Sequence, residues 1–236
     1  MPLRIDVVTI FPGMFQGFMG ESILRRAAAM GAVAFHAVDL RDFAHDMRGT
    51  LDDKPYGGGV GMLMKPEPLF EAVESLRRPE TRVIAMTPQG VPFRQSAAQR
   101  LAKESHLIFL CGHYEGMDER ALEALADEQI SIGDYVLTNG ALPAAVVADS
   151  VVRLLPGVLG GGVQATADES FSEDLLEPAQ YTRPPVYRGL GVPQVLLNGD
   201  HARMEQWRKN QMLDRTVRHR PDLIQQKEND NDRKSP

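Results

Sequence analysis

Cysteine is nearly absent from the 236-residue sequence, which contains only Cys111. One cysteine cannot form an intramolecular disulfide or supply a cysteine-based zinc site. As a nucleophile it would need a neighbouring base, for which His113 is the candidate nearby in sequence, and we favour a buried small apolar residue instead. Low cysteine content is typical of a reducing compartment, so we expect a cytoplasmic protein.

Long apolar runs are also missing, since no stretch approaches the roughly 20 residues that span a membrane. The N-terminus has no basic segment followed by an apolar run, so we expect no signal peptide. Hydrophobic residues make up 43% and charged residues 25% of the chain, which is ordinary for a globular protein.

The net charge is −6, which argues against a nucleic-acid partner when taken alone. The charge is uneven, however. Residues 200–220 hold six Lys and Arg against three Asp and Glu, a local balance of +3. An acidic chain can therefore still carry a basic face. Charge alone leaves open a solvated helix and a surface that binds RNA.

Strand and helix patterns alternate along the first 155 or so residues. This alternation predicts an α/β domain with a parallel sheet and helices on its faces. The predicted strands are 3–10, 33–40, 82–87, 106–111 and a strand that begins at 128; the predicted helices are 21–30, 67–78, 94–104, 117–126 and 142–155.

The composition changes after Pro156-Gly157. Residues 157–193 are rich in Gly, Pro and acids and show little periodicity, which indicates a functional linker. Residues 200–220 predict a helix, and the polar C-terminal tail predicts disorder. We therefore expect a domain at 1–160, a linker at 161–195 and a small helical domain at 196–236.

The stretch "LDDKPYGGGVGM", residues 51–62, raises the question of a phosphate-binding loop. No glycine precedes Lys-Ser or Lys-Thr. Counting Gly57 or Gly59 as the first position of G-x-G-x-x-G, the sixth position is a methionine, so both common phosphate-loop spacings fail. The alternatives are a plain surface loop, a mobile lid, or a close backbone approach to a bulky ligand.

Three other glycine-bearing loops follow strand ends: "TPQG" (87–90), "CGHYEGMDER" (111–120) and "SIGDYVLTNGALP" (131–143). Ligands of open α/β sheets bind outside the carboxyl ends of the strands. Each loop alone is typical of ordinary turns. Together they predict a small-molecule pocket.

These segments, with "DDKPYGGGVGM", "DSVVRLLPGVL", "ESF" and "YTRPPVY" in order, strongly resemble the bacterial tRNA (guanine-N1)-methyltransferase family of the knotted SPOUT superfamily. The resemblance covers nearly the whole chain. It implies a deep trefoil knot in the C-terminal part of the α/β domain, and S-adenosylmethionine bound in that knot. The residues implied to hold this methyl donor are Pro88, Gly112, Tyr114, Glu115, Gly116, Ile132, Gly133, Asp134, Tyr135, Val136, Leu137 and Gly140.

The resemblance also implies the chemistry. A linker carboxylate would remove the proton from guanine N1, and Arg153 would stabilise the charge on O6. Glu169 stands where the family usually has Asp, and a linker one residue longer leaves Asp168 as the alternative. Asn139 replaces a common glycine, and we expect the turn to survive, because asparagine tolerates the left-handed conformation better than most residues.

The implied substrate is the tRNA anticodon arm, methylated at guanosine 37, immediately 3′ of the anticodon. The resemblance implies a homodimer whose subunits share each active site. It implies RNA contacts by Asp52, Lys54, Tyr56, Arg208 and Arg215. No dedicated metal site is predicted, although magnesium is a possible requirement and Glu115 would lie near it. Two alternatives are a non-catalytic RNA-binding module of the same fold and a nucleotide-binding enzyme that uses the glycine run.

Overall fold

The computed structural model describes residues 1–160, 169–171 and 174–224. The chain divides into two compact units, residues 1–160 and 161–236. No helix in the described ranges is both long enough and apolar enough to cross a membrane.

The first unit is an α/β domain around a five-stranded sheet. The strands of the sheet are β1 (Leu3–Thr9), β2 (Val33–Asp39), β5 (Thr81–Pro92), β6 (His106–Cys111) and β7 (Glu128–Ser131). The helices are α1 (Gly13–Met19), α2 (Ser22–Ala29), α3 (Pro66–Leu76), α4 (Gln95–Leu101), α5 (Glu119–Leu125) and α6 (Ala141–Val152). A short hairpin joins β3 (Asp52–Asp53) to β4 (Leu63–Met64), and a 3-10 helix spans Leu40–Phe43.

All neighbouring strands of the large sheet are parallel, in the order β2-β1-β6-β5-β7. The predicted α/β class and parallel sheet are thus confirmed. β6 is buried along its whole length, with Leu107 and Phe109 facing one layer of helices and Ile108 and Leu110 facing the other. Helices α1, α2, α4 and α6 cover the first face, and α3 and α5 cover the second.

β5 is longer than predicted. Its pairing with β6 runs to Met86 opposite Cys111, and its pairing with β7 shifts register between Met86 and Val91. The "TPQG" segment is therefore an irregularity inside the strand and not its end. The sequence could not show this, because the part of β5 after the irregularity, Val91 and Pro92, is a strand only through its pairing with β7.

A buried ionic group holds the amino ends of β1, β5 and β6 together. Asp6 and His106 are almost fully buried, and His106 Nε2 lies 2.8 Å from an Asp6 carboxylate oxygen. The Arg4 guanidinium also pairs with Asp6 at 2.9 Å, and Thr81 Oγ1 lies 2.7 Å from His106 Nδ1. Buried polar groups need such partners, so this group fixes the register of three strands at the edge opposite the glycine-bearing loops.

The second unit contains a hairpin of β8 (Val186–Tyr187) and β9 (Leu190–Gly191), a 3-10 helix at Gln194–Leu196, and the long helix α7 (His201–His219). α7 was predicted, and its N-terminus is capped by the Asp200 carboxylate, which accepts from the Arg203 N–H. The hairpin was not predicted, because two-residue strands leave no alternation to detect.

Candidate ligand pocket at the strand ends

One cavity opens outside the carboxyl ends of β6 and β7 and beside the irregularity of β5, at the edge where a parallel sheet binds its ligands. The three glycine-bearing loops line it together. The predicted cofactor residues that line it are Pro88, Gly112, Tyr114, Glu115, Gly116, Ile132, Gly133, Tyr135, Val136, Leu137 and Gly140. Asp134 lies in the same loop but is exposed and does not line the cavity.

Gly140 is required by a close approach of two backbones. A Cβ atom at this position would lie 2.8 Å from Cys111 Cα and 3.0 Å from the Gly112 amide nitrogen. The Gly140 N–H donates to the Gly112 carbonyl at 2.8 Å. The loop before α6 is thus pressed directly against the loop after β6, and no side chain fits between them.

Cys111 at the end of β6 is buried, and burial raises the pKa of its thiol well above the usual range. The thiolate form is therefore strongly disfavoured at neutral pH. This agrees with the interpretation of Cys111 as a small apolar residue and removes the support for a nucleophile.

His113 connects two walls of the cavity. Its Nδ1–H donates to the Thr138 carbonyl at 3.0 Å, which joins the loop after β6 to the loop before α6. The ring also lies edge-on to Phe11, at a centroid distance of 5.1 Å, and tilted against Tyr114 at 4.6 Å. His113 was not predicted as a pocket residue, because one histidine in a turn carries no distinguishing spacing.

Tyr114 adopts a left-handed backbone conformation, with φ of 58°. Bulky residues avoid this region, and such strain is concentrated at functional sites. The pKa of the Tyr114 phenol is raised mainly by partial burial and secondly by the nearby Asp52 carboxylate. The phenol therefore stays protonated near neutral pH and can donate a hydrogen bond.

The glycine run forms the tip of the β3–β4 hairpin. Gly57, Gly58, Gly59 and Gly61 all have positive φ, between 82° and 139°, a range that side chains rarely tolerate. Lys54 is exposed, Tyr56 is fully exposed, and Asp52 is half-buried at the hairpin base. None of these three predicted RNA-contact residues lines the cavity.

The hairpin is attached to the cavity wall through its second strand. The Met64 N–H donates to the Gly116 carbonyl at 2.9 Å, and the Met64 carbonyl accepts from the Asp118 N–H at 3.0 Å. The Glu115 N–H donates to the Met62 carbonyl at 3.0 Å. The glycine run therefore extends from the pocket border, and it is part of neither common phosphate loop.

Several cavity residues were missed by sequence reasoning. They come from β5, β7, α5 and α6 as well as from the loops, and no motif in the sequence indicates them: Met86, Thr87, Gln89, Met117, Glu119, Leu122, Ile130, Ser131, Thr138, Asn139 and Pro143. Asn139 does not use the left-handed conformation that asparagine tolerates, because its φ is not positive. Its side-chain oxygen instead accepts from the Ala141 N–H at 2.8 Å, at the start of α6.

The remaining predicted residues are Arg153 in the first unit and four residues in the sequence of the second unit. Arg153 is half-buried at the C-terminal cap of α6. Glu169 is half-buried in the second unit, and Asp168 lies outside the described residues. Arg208 is exposed on α7; Arg215 is half-buried, and its Nε has no hydrogen-bond partner among the described residues.

The described residues contain no group of three or more His, Cys, Asp or Glu side chains that could hold a metal ion. The lining of the cavity is acidic. Glu115 and Glu119 contribute carboxylates, and no Lys or Arg is among the described lining residues. Such a lining suits a neutral or cationic ligand and disfavours one that carries phosphate.

The fold and the cavity define an α/β protein with a candidate small-ligand cavity at the carboxyl end of a parallel sheet. A family model described as "tRNA (Guanine-1)-methyltransferase TrmD" matches residues 3–226. The chain therefore belongs to the tRNA (guanine-1)-methyltransferase family, which confirms the family predicted from the motifs.

Curated relatives agree with the family match. The chain is 55% identical over 224 residues to a protein of Brevibacillus brevis, covering 94% of this chain and 92% of the relative. It is 52% identical over 224 residues to one of Geobacillus kaustophilus, with 94% and 91% covered. It is 52% identical over 225 residues to one of Bacillus subtilis, with 94% and 92% covered. All three carry the name tRNA (guanine-N(1)-)-methyltransferase.

Proposed function

We propose that the protein transfers a methyl group from S-adenosylmethionine to N1 of guanosine 37 in tRNA, in the cytoplasm. Family membership supports the reaction, and the observation that carries the choice of donor is the acidic, glycine-walled cavity. A sulfonium and an ammonium group suit such a lining. A phosphate-bearing nucleotide does not, which disfavours the alternative of a nucleotide-binding enzyme.

Backbone groups would hold the donor at Gly112, at Gly116 and at those residues of the segment 132–137 that line the cavity, and Pro88 would lie close by. Ile132 and Leu137 offer apolar surface to an adenine ring. When bound, S-adenosylmethionine supplies a methyl group already activated by its positive sulfur. The task of the chain is then to align the acceptor nitrogen with that carbon.

The acceptor nitrogen needs deprotonation, because guanine N1 carries a hydrogen. We assign the base to Glu169, with Asp168 as the alternative, and the proton passes from N1 to the carboxylate oxygen. The electron pair released at N1 would form the new N–C bond while the S–C bond of the donor breaks, and its electron pair would leave on the sulfur of S-adenosylhomocysteine. Charge that develops on O6 is stabilised by the Arg153 guanidinium.

The predicted homodimer is supported by exposed apolar side chains in the first unit. Leu142 and Val146 of α6 are 54% and 46% exposed, and Val136 in the cavity loop is 84% exposed. Leu142 and Val146 lie one turn apart, so they share one exposed face of α6. A second copy that covers this surface would bring its own linker carboxylate to the cavity.

The predicted trefoil knot remains part of this proposal. One close crossing supports it: Gly140 lies against Cys111 and Gly112, and a Cβ atom at Gly140 would lie 2.8 Å from Cys111 Cα. Loops that pass one another at backbone contact are what a threaded chain requires. Magnesium enters no step here, since Glu115 alone does not form a metal site among the described residues.

Replacing Gly140 with alanine is expected to weaken S-adenosylmethionine binding at least tenfold and to lower the melting temperature. The added methyl group would collide with backbone atoms of residues 111 and 112, which cannot rotate away. Calorimetric titration and thermal unfolding measure the two effects.

The matched control is Gly17→Ala on α1, where an added Cβ meets nothing within 4 Å. This variant should bind the donor normally and gain up to about 1 kcal/mol of stability from helix propensity. Normal binding by Gly140→Ala would contradict the assignment of this crossing to the cofactor site.

The helical domain predicted at 196–236 would bind the tRNA anticodon arm through α7. Arg208 and Arg215 are separated by seven residues, so they lie two turns apart on one side of the helix. Contacts between these side chains and tRNA phosphates would add to the affinity for tRNA. This contribution would fall with rising salt and would not depend on the nucleotide sequence.

Arg208→Ala and Arg215→Ala are each expected to weaken tRNA binding and to reduce the slope of log affinity against log salt by about one. Donor binding should not change. Arg25→Ala, which removes an exposed cation from α2, controls for net charge. An unchanged slope in both α7 variants would mean that the basic side of α7 is only solvated.

The activity is tested by incubating the protein with labelled S-adenosylmethionine and unmodified tRNA transcripts. Label transfer only to transcripts with guanosine at position 37 supports the proposal. Binding of tRNA without transfer would identify a non-catalytic RNA-binding module, and transfer to another base or position would overturn the assigned site.

A further inference from the structure

Thr216 is the only buried residue among the described positions of α7. Its hydroxyl donates to the Met212 carbonyl at 2.7 Å, and the same oxygen accepts from the Leu176 N–H at 2.9 Å. The first bond lies within the helix. The second joins α7 to the segment that follows Glu169. A single buried hydroxyl therefore connects two parts of the second unit, and one oxygen atom makes both bonds.

A second contact joins the same two parts. The Arg220 guanidinium, at the C-terminal end of α7, lies over the Phe171 ring at 5.6 Å from its centroid. Asp222 orients this guanidinium through two hydrogen bonds of 2.7 and 2.9 Å. A cation held over an aromatic face is attracted to it, so Arg220 holds Phe171 against the helix.

The backbone around Phe171 is strained and is held by further hydrogen bonds. Phe171 has φ of 74°, a value that bulky side chains avoid. Its N–H donates to the Leu175 carbonyl at 2.8 Å, and Ser170 Oγ accepts from the Glu177 N–H at 3.1 Å. A strained turn persists only where surrounding contacts define it. The residues directly after Glu169 thus form a fixed turn seated on α7.

We propose that Thr216 and Arg220 are positioning residues for the carboxylate of Glu169. Glu169 precedes Ser170 and Phe171 directly, so a turn anchored to α7 makes the position of the carboxylate depend on that of the helix. This inference rests on the proposed function, in which α7 binds tRNA and Glu169 removes the N1 proton. Binding of tRNA to α7 would then also place the Glu169 carboxylate.

The rate of methyl transfer depends on how well the base is aligned with the proton that it removes. A general base must lie within hydrogen-bond reach of its proton, and a displacement of about 1 Å can lower a rate by about a hundredfold. In the proposed function tRNA contacts Arg208 and Arg215, whereas Thr216 is buried and its hydroxyl is bonded within the second unit. Loss of the anchor should therefore reduce the rate of methyl transfer without weakening the binding of either substrate.

The test compares Thr216→Val, which keeps the shape but loses the hydroxyl, with Thr216→Ser, which keeps the hydroxyl. Single-turnover methyl transfer is measured with S-adenosylmethionine and tRNA both saturating. We expect Thr216→Val to lose at least tenfold in rate, with both dissociation constants within about twofold of wild type. Thr216→Ser should stay within about threefold of the wild-type rate. Val217→Thr, at the exposed neighbouring position, should match wild type.

Two further measurements keep the test decisive if Thr216→Val does not fold. Arg220→Gln removes the cation from the Phe171 ring at the helix end and should lower the single-turnover rate with little change in tRNA affinity. In the wild-type protein, amide exchange at Leu176 should be slow before tRNA is added, because its N–H is bonded to Thr216.

The outcomes separate the two proposals. A wild-type protein that transfers no methyl group to tRNA would refute the proposed function. An active wild type with Thr216→Val and Arg220→Gln at the wild-type rate, or with unprotected Leu176, would refute the positioning role alone. A rate loss matched by a loss of tRNA affinity would also refute it, since that result indicates a binding role.

Discussion

Replacing Glu169 with glutamine is expected to lower the single-turnover rate of methyl transfer by between about a hundredfold and ten-thousandfold. Glutamine keeps the shape of the side chain but cannot accept the proton of guanine N1. The dissociation constants for S-adenosylmethionine and tRNA should stay within a few-fold of wild type, because the carboxylate acts on the proton and does not hold either substrate. Rapid-quench measurement with labelled donor and tRNA transcript gives the rate.

Asp168→Asn is the matched control for this experiment. It removes a carboxylate from the adjacent position, and we expect a far smaller loss of rate than for Glu169→Gln. Equal losses, or a larger loss for Asp168→Asn, would show that the linker is in the other register and that Asp168 is the base. Full activity in both variants would refute a linker carboxylate as the base.

A pH profile gives an independent check on the same group. If a carboxylate accepts the proton, the wild-type rate should rise with pH as that carboxylate ionises and should then level off. The Glu169→Gln variant should lose this rise. A retained rise would assign the titration to another group.

The sheet could be predicted because its strands carry a local signal. β6 was predicted at its observed bounds, since an unbroken apolar run between polar residues indicates a strand buried on both faces. The general position of the cavity was also predictable, because parallel strands bring the loops at their carboxyl ends together. Glycine at 112, 116, 133 and 140 identified which loops these are.

Elements that depend on tertiary contacts were not predictable. α1 begins at Gly13, directly after a proline, and has a second glycine at position 17, so its local propensity is poor. It is stabilised by Phe15, which is buried in the core beside α2 and α6. The β3–β4 hairpin has two-residue strands and depends on its bonds to Gly116 and Asp118.

In the candidate site, too, the sequence identified the loops but not the contacts that their residues make. The loop 131–143 was identified from sequence, but the exposure of Asp134 and the role of Asn139 as a hydrogen-bond acceptor for Ala141 follow from how that loop packs. The connection of His113 to the Thr138 carbonyl spans 25 positions. No periodicity or spacing indicates such a pair.

Mixing two inactive variants is expected to restore activity if each site takes its cavity from one subunit and its base from the other. Glu169→Ala keeps the cavity and lacks the base. Gly112→Val keeps the base, and its added side chain would occupy part of the cavity and exclude the donor. The substitution should be compatible with folding, because the atoms nearest to a Cβ at this position belong to the flexible Met117 side chain, at 3.4 Å. In a mixed dimer one of the two sites is intact.

Random exchange of subunits makes half of the dimers mixed, so the mixture should recover about a quarter of the wild-type rate from two preparations with almost none. Gly112→Val must first be shown to fold and to bind no donor. The control combines both substitutions in one chain and mixes it with Glu169→Ala, which gives no complete site and should stay inactive. If the two single variants form mixed dimers without regaining activity, the base belongs to the same chain as the cavity it serves.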